Sequence, residues 1–287
     1  HAPASQVADS GAALFLGAGD IGVCGSDGDK QTAQLVDSVL RADSASKVEA
    51  AVFSLGDNAY PAGLDRDFIG CFGGSWGDLS KKILGRLRPS IGNHDYQSAR
   101  GAAYYRYFGA QAGPKFKGYY SYDIGSWHAI ALNSEILYNE PDAELIQEKW
   151  LKADLAANKS LCTLAYFHRP LFSSGIHGPS PAIRKLWEIM SAGGVDLVLN
   201  GHEHEYERFL PQTPAGVPDS LRGMTEIVAG TGGGPLTPFR ARTAANSAAQ
   251  VEGHFGVLLL TLGPSEFKSS FLDVARRVWD PAGGKCH

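Results

Sequence analysis

Five short runs in this chain each stop at a polar group able to bind a metal or carry a proton, and that recurrence restricts the fold more than any bulk property. Residues 12–16 lead to Asp20 and 51–55 to Asp57 and Tyr60. Residues 86–91 lead to Asn93 and His94, 161–167 to His168, and 196–199 to His202 and His204. Apolar runs of this length, broken by glycine, read as buried strands. Helices fit between them. Residues 29–42 place Leu35, Val36, Val39 and Leu40 on one stripe, and 79–84, 102–108 and 181–192 read as further helices. Residues 141–157 carry Asp142 and Glu144 in the first turn, with Ile146, Trp150, Leu151 and Leu155 expected on the buried side.

Residues 61–77, rich in glycine, read as a long loop carrying Cys71, and 119–122 with 127–132 as a hairpin. Beyond Pro211 the pattern changes to shorter strands at 226–229, 255–262 and 267–274. The alternation through residue 200 predicts an α/β body whose tail adds strands to a second or extended sheet. In such folds ligands gather beyond the carboxyl ends of the strands, which is where Asp20, Asp57, Asn93, His168, His202 and His204 fall.

With 287 residues, 44% of them hydrophobic and 20% charged, and no repeat or linker, the chain is expected to form one domain, 1–287, with a flexible opening segment, 1–11. A formal charge of -4 gives no footprint for nucleic acid as a partner. No stretch approaches the roughly 18 apolar residues of a membrane span, so a soluble chain is expected. The first residue is His1, not methionine, as after removal of a leader or at an arbitrary start. Cys24, Cys71, Cys162 and Cys286 show no C-x-x-C spacing, which argues against a structural zinc site. Four cysteines so placed suit either two disulfides in an oxidising compartment or four free thiols.

Oxygen and nitrogen donors without thiolate suit iron, manganese or zinc, and there are too many for one tetrahedral ion. They suit two ions sharing a carboxylate. The ordered set GDIG, GDNAY, GNHD, FHRP and GHEH, spanning residues 19–204, resembles the binuclear metallophosphoesterases, also called calcineurin-like phosphoesterases. Most of that superfamily carries D-x-H in the first motif, whereas this chain has Gly22 there and Tyr60 three residues after Asp57, the pattern of the purple acid phosphatase branch.

The resemblance implies a two-sheet β-sandwich core flanked by helices (αββα), with the metal site at the carboxyl ends of the strands. It implies one ion on Asp20, Tyr60 and His204, a second on Asn93, His168 and His202, and Asp57 bridging. Iron is implied at the first site and iron, zinc or manganese at the second. His94 and His177 would contact phosphoryl oxygens, His177 also protonating the leaving alcohol while a metal-bound hydroxide attacks. The implied activity is hydrolysis of small phosphomonoesters by a secreted or periplasmic enzyme. The alternatives are a phosphodiesterase or nucleotide hydrolase of the same superfamily, and a non-catalytic binding protein on this fold.

Larger members of the branch have a second histidine after the one matched by His177 and an additional N-terminal β-domain; here Gly178 follows. Cys24 is expected to pair with Cys71, joining loops after the first two metal-bearing strands, and Cys162 with Cys286, tying the tail to the strand before His168. No role is expected for His128, His254 or His287, and Gly232-Gly233-Gly234 reads as a tight turn. Arg169 suits either a phosphate contact or a surface ion pair.

A trivalent cation favours deprotonation of a phenol far more than a divalent one does, so Tyr60 points to ferric iron. The iron-loaded protein is therefore expected to be coloured and to lose its visible band in Tyr60→Phe while retaining some metal. Absorption spectra with metal analysis check this, and a colourless iron-loaded wild type removes Tyr60 from the ligand set.

Overall fold

Side chains alternate across a strand, so a strand with helices on one side and a second sheet on the other buries both faces and reads as an unbroken apolar run. In β1 (Ala13–Ala18) every residue is buried. Leu14, Leu16 and Ala18 enter the layer beneath the helices, and Ala13 and Phe15 enter the layer between the sheets. The computed structural model describes residues 11–43, 48–83 and 85–287. Apart from Gly11, the opening segment expected at 1–11 lies outside the described residues, as does the last residue of the helix expected at 79–84.

In chain order the elements that follow are α1 (Gly28–Asp43), β2 (Glu49–Leu55), α2 (Asp65–Asp67), a π-helical stretch Phe68–Gly77, α3 (Asp78–Lys82), β3 (Leu87–Ser90), α4 (Asn93–Gln97) and α5 (Ala102–Phe108). Next come β4 (Tyr120–Ile124), β5 (Trp127–Ala131), α6 (Ile136–Asn139), α7 (Pro141–Ala157), β6 (Cys162–Tyr166), α8 (Arg184–Ala192), β7 (Leu197–Asn200) and β8 (Tyr206–Phe209). The chain closes with β9 (Thr225–Ala229), β10 (Ser247–Val251), β11 (Gly256–Leu262), β12 (Glu266–Asp273) and β13 (Val278–Lys285).

One sheet has the order β13-β12-β11-β1-β2-β3 and the other β10-β8-β9-β7-β6-β5-β4. Within them β1-β2-β3 and β5-β6-β7-β9 run parallel. The sheets meet through Phe15, Phe53, Leu55, Trp127, Leu164, Tyr166, Leu199 and Leu258. Val36, Phe72, Trp76 and Tyr104 cover the outer face of the first sheet, and Leu151, Leu155, Leu186 and Trp187 that of the second. This is the expected sandwich between helical layers, and the late strands join both sheets.

Several details differ from the sequence reading, among them the short helices α4 and α6, which were not expected. Residues 61–77 are not one loop: from Asp65 they are helical, because Phe68, Phe72 and Trp76 recur on one side and bury against the first sheet despite the glycines between them. Ile146 is 57% exposed, and α7 instead buries Gln147, whose amide receives Asn133 N–H and donates to Asn133 C=O. Strands β8, β10 and β13 were not expected; β10 and β13 lie at sheet edges and β8 is four residues long.

The cysteines pair as Cys24–Cys71 and Cys162–Cys286, closing separations of 47 and 124 residues. The first joins the loop after β1 to the π-helical stretch, and the second links the chain after β13 to the start of β6.

His128 lies between two carboxylates, its Nδ1 2.9 Å from Asp123 Oδ1 and its Nε2 2.9 Å from Asp154 Oδ2, so it fastens the β4–β5 hairpin to α7. Burial disfavours the imidazolium, but Asp154 and Asp123 outweigh it and raise the His128 pKa; burial likewise opposes charge on Asp154, which His128 lowers. The raised histidine stabilises fully below its unfolded value of about 6.5, and that stability is lost as pH rises through the folded value. The lowered aspartate contributes above about 3.9, so the pair is worth most between about pH 4 and 6.5. His128→Gln is expected to cost about 2 kcal/mol at pH 5.5 and clearly less at pH 9. Denaturant unfolding at the two pH values reads this, and an equal cost at both contradicts the assignment.

Candidate metal centre

The centre stands where parallel strands of both sheets end side by side. Asp20 follows β1, Asp57 follows β2, Asn93 begins α4 after β3, His168 follows β6, and His202 and His204 follow β7. Asp20, Asp57 and His202 all adopt left-handed backbone, with φ of 59°, 49° and 73°, which turns the chain sharply enough to aim these side chains inward. Gly56 (φ 83°) precedes Asp57 so closely against the His168 ring that a Cβ there would lie 2.7 Å from His168 Nδ1.

Two donor groups meet on one oxygen. Tyr60 Oη lies 2.9 Å from Asp20 Oδ1, 3.2 Å from Asp57 Oδ2 and 3.2 Å from His204 Nε2, and His204 Nε2 is 3.2 Å from Asp20 Oδ1. On the other side His168 Nε2 lies 3.3 Å from the same Asp57 Oδ2, 3.0 Å from Asn93 Oδ1 and 3.2 Å from His202 Nδ1. Ligands bound to one ion at about 2.1 Å stand about 3 to 3.4 Å apart, so both groups have the spacing of a coordination shell. Asp20, Asp57 and His168 are fully enclosed and their ligand atoms lie within 4.8 Å of one another. All seven expected donors are brought together, and the donor chemistry fits two cations.

The electrostatics of the cluster call for positive charge. Burial opposes charge on His168, yet the Asp57 carboxylate raises its pKa to about 10; burial opposes charge on His204, yet Asp20 raises it to about 9. Burial, with the neighbouring positive charges of His168 and Arg169, lowers His202 to about 2. Burial also disfavours the Asp57 carboxylate, but His168 holds its pKa well below the usual range. Burial and then the Asp20 and Asp57 charges keep the Tyr60 phenol protonated. Two enclosed carboxylates demand positive charge, which here means protons on imidazoles or bound cations.

His94 and His177 flank the cluster. The His94 ring packs 4.5 Å from that of Tyr60, its Nδ1 donates to Pro61 C=O at 2.5 Å, and its Nε2 lies 3.9 Å from Asp57 Oδ2. The His177 ring packs 4.9 Å from that of His202 and its side chain is 45% exposed. Arg169 forms an ion pair that is largely buried and not at the surface. Its Nε and Nη2 grip the buried Glu135 at 2.9 and 3.1 Å, its guanidinium lies over Tyr138, and its Nη1 is 3.3 Å from His202 Nε2. The glycine run passes behind Asp20, where Gly232 and Gly234 N–H donate to Gly19 and Asp20 C=O. His254 and His287 lie beside Asp273 and Asp196, away from the centre.

Asp95 was missed by the sequence reading. Fully buried, it accepts N–H from Asn58, Ala59 and Gly92 and the Asn58 side-chain amide, thereby stitching the Asp57 loop to the Asn93 loop. Burial and the Asp57 charge push its pKa up to about 7, while those donors pull it back. Its signal was the carboxylate two residues after Asn93, at the first turn of a helix.

A sandwich of two mixed sheets between helices, with clustered donors at the ends of its parallel strands, defines the metallophosphoesterase fold. The sequence profile of the calcineurin-like phosphoesterase family matches residues 13–206, and the chain belongs to that family. It is similar to purple acid phosphatase 18 of Arabidopsis thaliana, 33% identical over 104 residues, 34% of this chain and 23% of that protein. It is similar to acid phosphatase type 7 of Homo sapiens, 28% identical over 255 residues, 74% of this chain and 55% of that protein. A solved purple acid phosphatase from yellow lupin seeds superimposes with a TM-score of 0.78 at 19% identity, over 98% of this chain and 55% of that one. The chain thus spans from 23% to 55% of the length of these relatives.

Asp95→Asn places amide N–H groups against backbone donors and is expected to destabilise the fold by about 3 kcal/mol and to lower metal occupancy. Unfolding curves with metal analysis check this; unchanged occupancy would separate Asp95 from the centre.

Proposed function

We propose that this chain is a phosphatase that hydrolyses phosphomonoesters with two metal ions, one held by Asp20, Tyr60 and His204 and one by Asn93, His168 and His202, with Asp57 between them, all within one catalytic domain. The observation that carries the reading is Asp57 Oδ2, 3.2 Å from Tyr60 Oη on one side and 3.3 Å from His168 Nε2 on the other. Two bound cations would supply charge to clamp a phosphate, acidify a bound water and stabilise both the entering and leaving oxygens.

The protein's own groups then divide the remaining work. His94 is tied through Nδ1–H to Pro61 C=O, so the doubly protonated ring would donate from Nε2 to a phosphoryl oxygen. His177, held through Nδ1 by Glu203, offers Nε2–H to the ester oxygen, and as the P–O bond breaks its electron pair on the leaving oxygen takes that proton. Enclosure of Asp20 and Asp57 keeps their charge unscreened by water. Tyr60 supports iron at the first position, while iron, zinc or manganese suits the second. The two disulfides support a secreted or periplasmic location.

The purified protein is expected to carry two metals per chain and to release phosphate from p-nitrophenyl phosphate faster than it cleaves bis(p-nitrophenyl) phosphate. Asp57→Asn should reduce turnover by more than about 100-fold together with metal content. Fewer than two metals in the wild type, or no release from any monoester between pH 4 and 9, overturns the reading; faster diester cleavage makes it a phosphodiesterase.

A further inference from the structure

Between the two metal-facing histidines of GHEHEYER lies a glutamate that points the other way. Glu203, Glu205 and Glu207 are all fully buried, and their carboxylates form a row on which residues 173–178 rest. Glu207 accepts Ser174 N–H at 2.8 Å and Ser174 Oγ–H at 2.5 Å. Glu203 accepts Gly178 N–H on Oε1 at 2.6 Å and His177 N–H on Oε2 at 3.1 Å, and Oε2 is also 3.2 Å from His177 Nδ1. From the other side, Arg240 N–H donates to Ser174 C=O at 2.9 Å and Arg240 Nη2 to Ser173 C=O at 2.7 Å. Gly175 is the contact point, with no room for a Cβ between its backbone and the Glu203 and Glu205 oxygens.

We infer that Glu203 is a positioning residue for His177: one carboxylate fixes the backbone on both sides of that histidine and holds its Nδ1, so that Nε2 faces the leaving group. The inference rests on the phosphomonoesterase reading above. His177 has little else to orient it, since its side chain is nearly half exposed, and among the described residues Glu203 is the one hydrogen-bonding partner of its ring. A carboxylate on the far nitrogen selects the tautomer with hydrogen on Nδ1 and leaves Nε2 to pick up the proton it delivers. Glu205, equally buried, serves as an internal comparison. It accepts from Thr237 Oγ1, its Oε1 has no hydrogen-bond partner among the described residues, and so it makes no hydrogen bond to His177 there.

The experiment compares p-nitrophenyl phosphate, whose leaving group departs without a proton, with glycerol 2-phosphate, whose alkoxide needs one. Glu203→Gln is expected to lower kcat on glycerol 2-phosphate by about 10- to 100-fold and on p-nitrophenyl phosphate by less than about threefold. Two metals per chain should remain, and adding Glu203→Gln to His177→Ala should change nothing further. Glu205→Gln should leave the ratio of the two rates as in the wild type. If Glu203→Gln gives no cooperative melt, Glu203→Asp, which keeps the charge but retracts it by about 1.5 Å, should show the same selective loss in smaller measure. Independently of turnover, imidazole nitrogen NMR on the metal-free chain should find neutral His177 with hydrogen on Nδ1 in the wild type and a mixture of tautomers in Glu203→Gln.

Equal slowing of both substrates, an additive double variant, or an unaltered tautomer overturns the positioning role. Failure of the underlying reading looks different: the wild type would then turn over neither substrate, and His177→Ala would have no leaving-group dependence for Glu203 to share.

Discussion

Asp20 and Asp57 are sealed from solvent beside a phenol and three imidazoles, and the cost of burying their charge governs everything built around them. An enclosed carboxylate is tolerated only with compensating charge and filled hydrogen bonds. The second oxygen of each is already committed, Asp20 Oδ2 to His202 N–H and Asp57 Oδ1 to His94 N–H, both at 2.8 Å. These bonds run from the end of one strand to the end of another. The geometry of the centre and the mutual placement of the strand ends are therefore one problem.

The backbone meets that problem with glycine and strained turns. Three of the donors sit at positive φ, a conformation retained only where surrounding contacts over-determine it. Gly92 approaches the Asp57 backbone and carboxylate too closely for any side chain, which brings the loops after β2 and β3 together and lets Asp95 bind both. The glycine that opens four of the five motifs, Gly19, Gly56, Gly92 and Gly201, is thus a packing requirement of the centre as much as a turn signal. The same logic places Gly175 over Glu203 and Glu205.

Strands exiting into donors were legible because burial on both faces makes them short and apolar, and because Gly-Asp, Gly-Asn and Gly-His mark the exits. The π-helical stretch was not, since the glycines among Phe68, Phe72 and Trp76 argue for loop by local propensity while packing on the sheet decides otherwise. Ile146 faces outward and Gln147 takes an interior place because Gln147 satisfies both the N–H and the C=O of Asn133. The acidic row of Glu203, Glu205 and Glu207 carries the pattern of a solvated strand face, and only the loop lying across it makes that face interior. A sequence shows which face alternates; it does not show what will cover it.

The link from Cys162 to Cys286 has a mechanical meaning. Cys162 opens β6, whose far end leads to His168, and Cys286 follows β13 at the outer edge of the opposite sheet. The covalent link therefore lies at the spine of the sandwich, with the donors at its fore-edge, as in a book bound on one side. A tie at the end of β6 away from His168 joins the two sheets covalently where no donor holds them, so the sandwich is fastened at both ends: by a bond at one and by the shared carboxylates at the other.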